Sequence, residues 1–151
     1  MFDSLKITLQ YITPKHLLSR LVGILASANA GAVTTAMIKL FIKQYKVDMS
    51  EALDSDPESY TSFNAFFTRQ LKVDARSVCQ DKKQLALPVD GAVSQLGDIK
   101  HDAIFQAKGH NYSLTTLLGG KPELAKPFLN GKFATIYLSP KDYHRIHMPL
   151  D

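Results

Sequence analysis

Two histidines three residues apart lie near the end of the sequence, among several groups able to exchange or hold a proton. The segment runs Tyr137-Leu-Ser-Pro-Lys-Asp-Tyr-His-Arg-Ile-His-Met-Pro149. Because histidine gains or loses a proton near neutral pH, His144 and His147 beside Tyr143 and Arg145 suit acid/base catalysis. The competing interpretation is a pair of partly buried histidines that bond only to the backbone.

The spacing of these side chains limits how they can meet. On a regular strand Tyr143, Arg145 and His147 face one side and His144 faces the other. Both histidines can reach one site only through a turn or a bulge, and Ser139-Pro140 just upstream favours irregular backbone. A metal site on the two histidines and a carboxylate lacks a demonstrable third ligand, so we predict no metal.

Two other stretches carry polar groups that could belong to a site. Asp90 and Gly91 lie between apolar runs, which is typical of a hairpin turn, and from the residues alone the turn is the better interpretation. Lys108, His110 and Tyr112 lie in a polar, glycine-containing loop that leads into a short helix. His110 could contact a ligand or lie in solvent, and the residues alone leave both interpretations open.

Hydrophobic periodicity predicts the helices of the first third of the chain. We expect a short helix over 4–11, a second after Pro14 that breaks at 29–31, and a third over 32–46. The third helix carries an apolar stripe formed by Val33, Met37, Leu40, Phe41 and Tyr45. Such stripes either pack against the rest of the protein or contact a membrane, and both alternatives stay open here.

The first 46 residues are basic, although the whole chain has a formal net charge of only +4. Their cations are spaced among long aliphatic stretches and are not clustered with glycine and aromatic residues. This pattern favours an anionic membrane surface over nucleic acid. The uncharged stretch 21–38 contains glycines and polar residues, so no spanning helix is expected. The predicted membrane contacts are Leu17, Leu21, Lys39 and Lys43.

Composition divides the chain into three predicted segments. Residues 1–46 are the basic amphipathic helices, 47–83 an acidic connector with an aromatic helix, and 84–151 a partial β-rich catalytic domain. In the aromatic helix, Ser62 is a plausible cap, and the phenylalanines that follow at helical spacing are expected in the core. They are Phe63, Phe66 and Phe67.

Turn dipeptides separate short β-prone runs in the last segment. Asp90-Gly91 and Asn130-Gly131 delimit predicted strands over 85–89, 92–96 and 133–138. The predicted fold class is therefore α+β, with helices first and then an antiparallel β-rich unit that is incomplete at the C-terminus.

Four blocks in this order resemble the phosphatidylserine decarboxylase family, and the resemblance runs through essentially the whole chain. They are Tyr60-Thr-Ser-Phe-Asn-Ala-Phe-Phe-Thr-Arg69, Pro88-Val-Asp-Gly91, the loop 108–114 and the segment 142–149. The resemblance implies a lyase that converts phosphatidylserine to phosphatidylethanolamine and carbon dioxide through a pyruvoyl Schiff base. It also implies a peripheral protein whose helices dock on the cytoplasmic face of the cell membrane.

The same resemblance implies roles for the candidate residues. In the family an aspartate, a histidine and a later serine form a protease-like triad, which cuts the proenzyme at a Gly-Ser bond and turns the serine into the pyruvoyl group. Asp90 and His147 match that aspartate and histidine, and His144 is the candidate for acid/base help in decarboxylation. The implied substrate-binding residues are Tyr143, Arg145, Lys108, His110 and Tyr112.

The sequence departs from the family at the cleavage motif. Leu-Gly-Ser is absent, since Leu96-Gly97 is followed by Asp98 and Leu118-Gly119 by Gly120. We therefore expect the pyruvoyl-forming serine on an alpha chain that this sequence does not contain, and we interpret the chain as a fragment that is inactive alone.

Two other function classes remain open. A non-catalytic peripheral membrane-binding domain would use the helices as an anchor and the β-unit as a partner surface. A carrier-like barrel would need a modifiable lysine or histidine at a hairpin tip, where this sequence has Asp90. Cys79 is the single cysteine, which excludes an internal disulfide and is typical of a reduced cytosolic protein.

Overall fold

The computed structural model describes residues 14–78, 81, 83–106 and 110–149. The helix predicted over 4–11, Cys79 and Lys108 lie outside the described residues. The chain divides into a first unit, residues 1–81, and a second unit, residues 82–151. Helices in the first unit and antiparallel strand pairs in the second confirm the predicted α+β class.

Two helices joined by a sharp break open the described part of the first unit. Helix α1 spans Lys15–Ser27 and helix α2 spans Ala32–Tyr45. Between them Gly31 has φ 54°, a conformation that favours glycine. The Thr34 hydroxyl accepts a hydrogen bond from the Ala30 amide at 3.1 Å. The predicted break is therefore formed by the local sequence, and the two helix axes are bent by 108°.

An aromatic cluster forms the core of the first unit. Helix α3, Phe63–Phe67, is capped by the Ser62 hydroxyl, which accepts a hydrogen bond from the Ala65 amide as predicted. The rings of Phe41, Phe63 and Phe66 meet edge to face, with centroids 5.1 to 5.9 Å apart. Phe66 is completely buried, so the aromatic helix lies in the core as expected.

The apolar stripe predicted on α2 is only partly buried, because Phe41 packs in the aromatic cluster while most of the stripe is exposed. Thr34 and Ile38 are buried, whereas Val33, Met37 and Leu40 of the stripe are exposed. The reason is that α2 packs on the aromatic cluster through the side that carries Ile38. Helix α1 has no buried residue at all. No single helix in the described ranges is long and apolar enough to cross a membrane, although α1 and α2 pass that test together as a bent pair.

The second unit is built from two antiparallel strand pairs. Strand β1, Ala92–Asp98, pairs with β4, Lys132–Tyr137, and β2, Ala103–Gln106, pairs with β3, His110–Ser113. Two short helices follow β3: α4, Leu114–Leu117, and α5, Pro122–Ala125. Its buried core consists of Ile99, Ile104, Leu114 and Ala125.

The pairing of β1 with β4 has close contacts at both ends, on either side of a register shift between Val93 and Gln95. At one end Asp98 lies opposite Lys132, and their side chains form an ion pair at 2.7 Å. At the other end Gly91 approaches β4 so closely that a Cβ atom would lie 2.6 Å from the Tyr137 carbonyl oxygen. Only glycine fits there, so this end of the pairing determines the residue that follows Asp90.

The strand predicted over 85–89 is not formed, and that prediction was wrong. Pro88 has no amide hydrogen and so cannot donate to a ladder. The stretch is irregular and makes single hydrogen bonds to the segment 147–149. Asp90-Gly91 is consequently not the tip of a hairpin, because β1 pairs with β4 and no strand precedes it. A carrier-like hairpin tip at Asp90 is therefore not formed.

Asp102 links the β2–β3 pair to α4 through hydrogen bonds. Its protonation should therefore change the free energy of unfolding. Its carboxylate accepts hydrogen bonds from the Ser113 hydroxyl and from the amide and hydroxyl of Thr115. These bonds, that of Ser113 first, hold the pKa of Asp102 below its ordinary value. The stabilisation is therefore present above the unfolded pKa of about 4 and is lost as pH falls through the folded pKa.

We expect Asp102→Asn to lower the urea midpoint of unfolding at neutral pH and to flatten its fall between about pH 5 and pH 2. Asp74→Asn, at an exposed position of the first unit, should keep the wild-type slope. Identical slopes for wild type and Asp102→Asn would contradict this account of Asp102.

The aromatic core gives a second prediction. Phe66→Ala should destabilise the first unit by about 3 to 5 kcal/mol, because the truncation leaves a cavity in a site with no exposure. Urea unfolding followed by far-ultraviolet circular dichroism measures the loss. Phe128→Ala, at a ring that is 53% exposed, is the matched control and should lose far less. Equal losses in the two variants would show that the cluster is not the core.

Candidate active site

A tight turn separates β4 from the histidine segment. The Asp142 amide donates to the Ser139 carbonyl at 2.9 Å, and the Ser139 amide donates to the Asp142 carboxylate at 2.6 Å. Pro140 occupies the second position of this turn, where its fixed φ is favourable. The turn is thus closed from both ends, and it starts the histidine segment at a defined point beyond β4.

The rings of Tyr143 and His147 lie nearly parallel and in contact. Their ring centroids are 5.6 Å apart with an interplanar angle of 19°, and the Tyr143 Oη lies 3.0 Å from His147 Nε2. In a regular strand two residues four apart would be separated by about 13 Å. The segment is therefore folded back on itself, as the expectation of a turn or bulge required. Only 9% of Tyr143 is exposed.

His144 is held by the backbone of the turn. Its Nδ1 lies 2.9 Å from the Asp142 carbonyl oxygen. A carbonyl oxygen only accepts hydrogen bonds, so Nδ1 is the donor and carries the proton. In the neutral ring the lone pair then belongs to Nε2, which can accept a proton. The backbone contact therefore orients His144 as a base through one defined nitrogen.

The histidine segment closes onto the stretch that leads to Asp90. The His147 amide donates to the Pro88 carbonyl at 2.8 Å, and the Ala86 amide donates to the Pro149 carbonyl at 3.3 Å. These two bonds have the spacing of an antiparallel ladder. The residue pairs Ala86–Pro149 and Pro88–His147 each make one hydrogen bond where a ladder usually makes two, because Pro88 and Pro149 have no amide hydrogen.

This closure joins the backbone at His147 to the stretch that leads to Asp90. Asp90 lies two residues beyond Pro88, and the chain bends over 88–91 before β1 begins. A hydrogen bond between the Asp90 and His147 side chains stays a prediction, and the backbone contact supports it.

The other predicted substrate residues are placed less closely. Arg145 is half-buried in the histidine segment, and Tyr112 lies on β3 with 46% of its surface exposed. Lys108 and the side chain of His110 lie outside the described residues. Their roles in binding remain predictions. Among the described residues no group of three or more histidine, cysteine or acidic side chains is arranged to hold a metal ion.

Sequence reasoning missed two features of this region. The contact of the Tyr143 hydroxyl with His147 was not predicted, although a spacing of four residues next to Ser139-Pro140 is compatible with a folded-back segment. The steric requirement for Gly91 was also missed, because it arises from the carbonyl of Tyr137, which is far away in sequence.

Comparison with known proteins identifies the family. A family model described as phosphatidylserine decarboxylase matches residues 63–151, more than half of the chain, and a second one, described as PSD, matches residues 5–46. The chain is 76% identical over its whole length to the phosphatidylserine decarboxylase proenzyme of Pseudoalteromonas atlantica, of which it covers 53%. It is 67% identical to that of Alteromonas mediterranea, covering 46%.

A third relative agrees with these two. The chain is 68% identical over 148 residues to the phosphatidylserine decarboxylase proenzyme of Shewanella baltica; the alignment includes 98% of the chain and 51% of the relative. The chain thus spans about half the length of the curated relatives it matches. With four motifs in family order and a family model that matches more than half of its residues, the chain belongs to the phosphatidylserine decarboxylase family.

Proposed function

We propose that this chain supplies the histidine and aspartate half of a self-cleaving phosphatidylserine decarboxylase. One structural observation supports this most directly: the His147 amide is bonded to the Pro88 carbonyl, two residues from Asp90. This bond supports the proposal because it holds the His147 backbone against the stretch that leads to Asp90. The serine that the reaction needs belongs to the half of the relatives that this chain does not cover.

In the cleavage step His147 takes the proton of that serine hydroxyl, and the Asp90 carboxylate stabilises the imidazolium that results. A carboxylate is suited to this because it accepts the ring N–H and opposes the positive charge. Tyr143 stacks against the same ring and limits its rotation. The chain thus contributes a base and its orienting groups, whereas the nucleophile is the serine that becomes the pyruvoyl end of the alpha chain once the cut is made.

In the decarboxylation step we assign proton transfer to His144. A pyruvoyl group supplies an electron-accepting carbonyl when present. His144 is anchored through Nδ1 on the Asp142 carbonyl, so Nε2 holds or releases the proton. Arg145 adds a fixed positive charge suited to the anionic headgroup of phosphatidylserine. Lys108, His110 and Tyr112 complete the proposed binding region.

We further propose that the first unit docks as a peripheral element on an anionic membrane, on the cytoplasmic face of the cell membrane. Leu17 and Leu21 of α1 are half exposed, and most of the α2 stripe, Phe41 excepted, is exposed as well. Lys39 and Lys43 flank that stripe. Lys39 is already paired with Glu58 at 2.8 Å, so its field is partly cancelled. Lys43 is therefore the stronger contributor to lipid attraction.

The second candidate function is a non-catalytic membrane-binding domain. The exposed apolar residues of α1 favour it as much as they favour the enzyme, because both functions need the same anchor. The histidine segment distinguishes the two, since a mere anchor requires neither a fixed tautomer for His144 nor a closure beside Asp90.

A hybrid polypeptide tests the division of labour between the histidines. This chain is fused to the part of the Pseudoalteromonas atlantica proenzyme that it does not cover. His147→Ala should leave the hybrid uncut, because no base activates the serine. His144→Ala should still be cut but lose about 10²- to 10⁴-fold in turnover, as expected for a lost acid/base group. Gel mobility and released carbon dioxide separate the two effects.

His16→Ala, at an exposed position of α1, controls for histidine removal and should cut at the normal rate. The unfused chain should release no carbon dioxide. A cut His147→Ala hybrid would assign the base to another residue. An uncut hybrid with all histidines intact would favour the non-catalytic candidate.

Flotation with phosphatidylglycerol vesicles tests the membrane proposal. Binding should weaken as salt rises, because surface charges act through a screened field. Lys43→Gln should weaken binding more than Lys39→Gln does, since Lys39 already has Glu58 beside it. Leu21→Ser should also weaken it, whereas Leu124→Ser is the matched control, because these leucines are 50% and 51% exposed. Equal, salt-independent binding to neutral vesicles would exclude the electrostatic contribution.

A further inference from the structure

Building on the proposed function, we infer that Tyr143 is a positioning residue that selects the tautomer of His147. The contact that carries the inference is the 3.0 Å distance from the Tyr143 hydroxyl to His147 Nε2. Tyr143 is 9% exposed whereas His147 is exposed, so the hydrogen bond joins a buried phenol to a ring that solvent also reaches. The role differs from substrate binding, because it acts through His147.

Three contacts restrict the His147 side chain. Its backbone amide is fixed on the Pro88 carbonyl, which sets where the side chain begins. The Tyr143 ring lies nearly parallel to the imidazole and fixes the ring plane. The hydroxyl then decides between the two neutral tautomers, because a phenol hydrogen pointing at Nε2 requires a lone pair on that nitrogen.

This tautomer is the one that a triad needs. With the lone pair on Nε2, the ring hydrogen is on Nδ1, and only a nitrogen that carries hydrogen can bond to the Asp90 carboxylate. The opposite tautomer would direct the Nδ1 lone pair at a carboxylate, which is repulsive. Tyr143 and Asp90 therefore favour the same proton position from two sides of one ring.

The hydroxyl also keeps the reactive nitrogen ready for the serine. When the serine arrives, its hydroxyl replaces that of Tyr143 at Nε2, and the proton moves from the serine oxygen to Nε2. Tyr143 keeps its own proton throughout, so it acts neither as an acid nor as a base in this proton transfer. The positive charge formed on the ring is opposed by Asp90.

Nitrogen-15 spectra of the histidine rings test the inference in the 151-residue chain itself. We expect His147 to show Nε2 without hydrogen in the wild type. In Tyr143→Phe, which keeps the ring stack, the population with hydrogen on Nε2 should rise by roughly 2- to 10-fold, the range of one ordinary hydrogen bond. Tyr60→Phe removes a hydroxyl bonded to the Asp54 carbonyl in the first unit and should leave the His147 signals unchanged. Hydrogen on Nε2 in the wild type, or identical spectra for Tyr143→Phe, would overturn the inference.

Self-cleavage of the hybrid gives the functional measurement. Tyr143→Phe should slow cutting by at most about 10-fold, the limit that the change in tautomer ratio sets, and Tyr60→Phe should not. Cutting at an unchanged or faster rate would show that the hydroxyl merely competes with the serine and does not position the ring. If the hybrid with native Tyr143 fails to cut, the proposed function fails, while the nitrogen-15 result still decides the tautomer.

Discussion

The pairing of β1 with β4 is the constraint on which the site depends. It joins the chain just after Asp90 to the chain just before the turn at Ser139, with Asp98 opposite Lys132 at one end, a register shift between Val93 and Gln95, and the close approach of Gly91 to Tyr137 at the other end. A shift by one residue would place a side chain against that carbonyl and reverse the faces of the strand. Both segments of the site inherit their positions from this register.

Within that frame, the nature of each hydrogen-bond partner distinguishes two histidines that the sequence places side by side. His144 meets a carbonyl oxygen, which only accepts, so its Nδ1 must donate. His147 meets a hydroxyl, which can donate to Nε2. Two chemically identical rings are thereby held by different kinds of partner, a carbonyl oxygen for His144 and a hydroxyl for His147.

The sequence was sufficient for features that depend on local patterns. The Ser62 cap, the burial of Phe66, the helix break before α2 and β4 after Asn130-Gly131 were all predicted, because each depends on nearby residues. The face that α2 buries could not be obtained in this way. Periodicity counts only apolar residues, and the buried face includes Thr34. The absent strand over 85–89 likewise depends on Pro88 and on a distant partner segment.

The two prolines at the closure have a consequence for the order of folding. A contact between Pro88 and His147 closes a long loop, and the conformational entropy lost in closing it opposes the contact. Pairing of β1 with β4 removes most of that loop, so the closure becomes a short-range event only afterwards. Each residue pair of this closure makes one hydrogen bond where a regular ladder makes two, so the closure is too weak to nucleate the fold. His147 therefore reaches its folded position late, after β1 and β4 have paired.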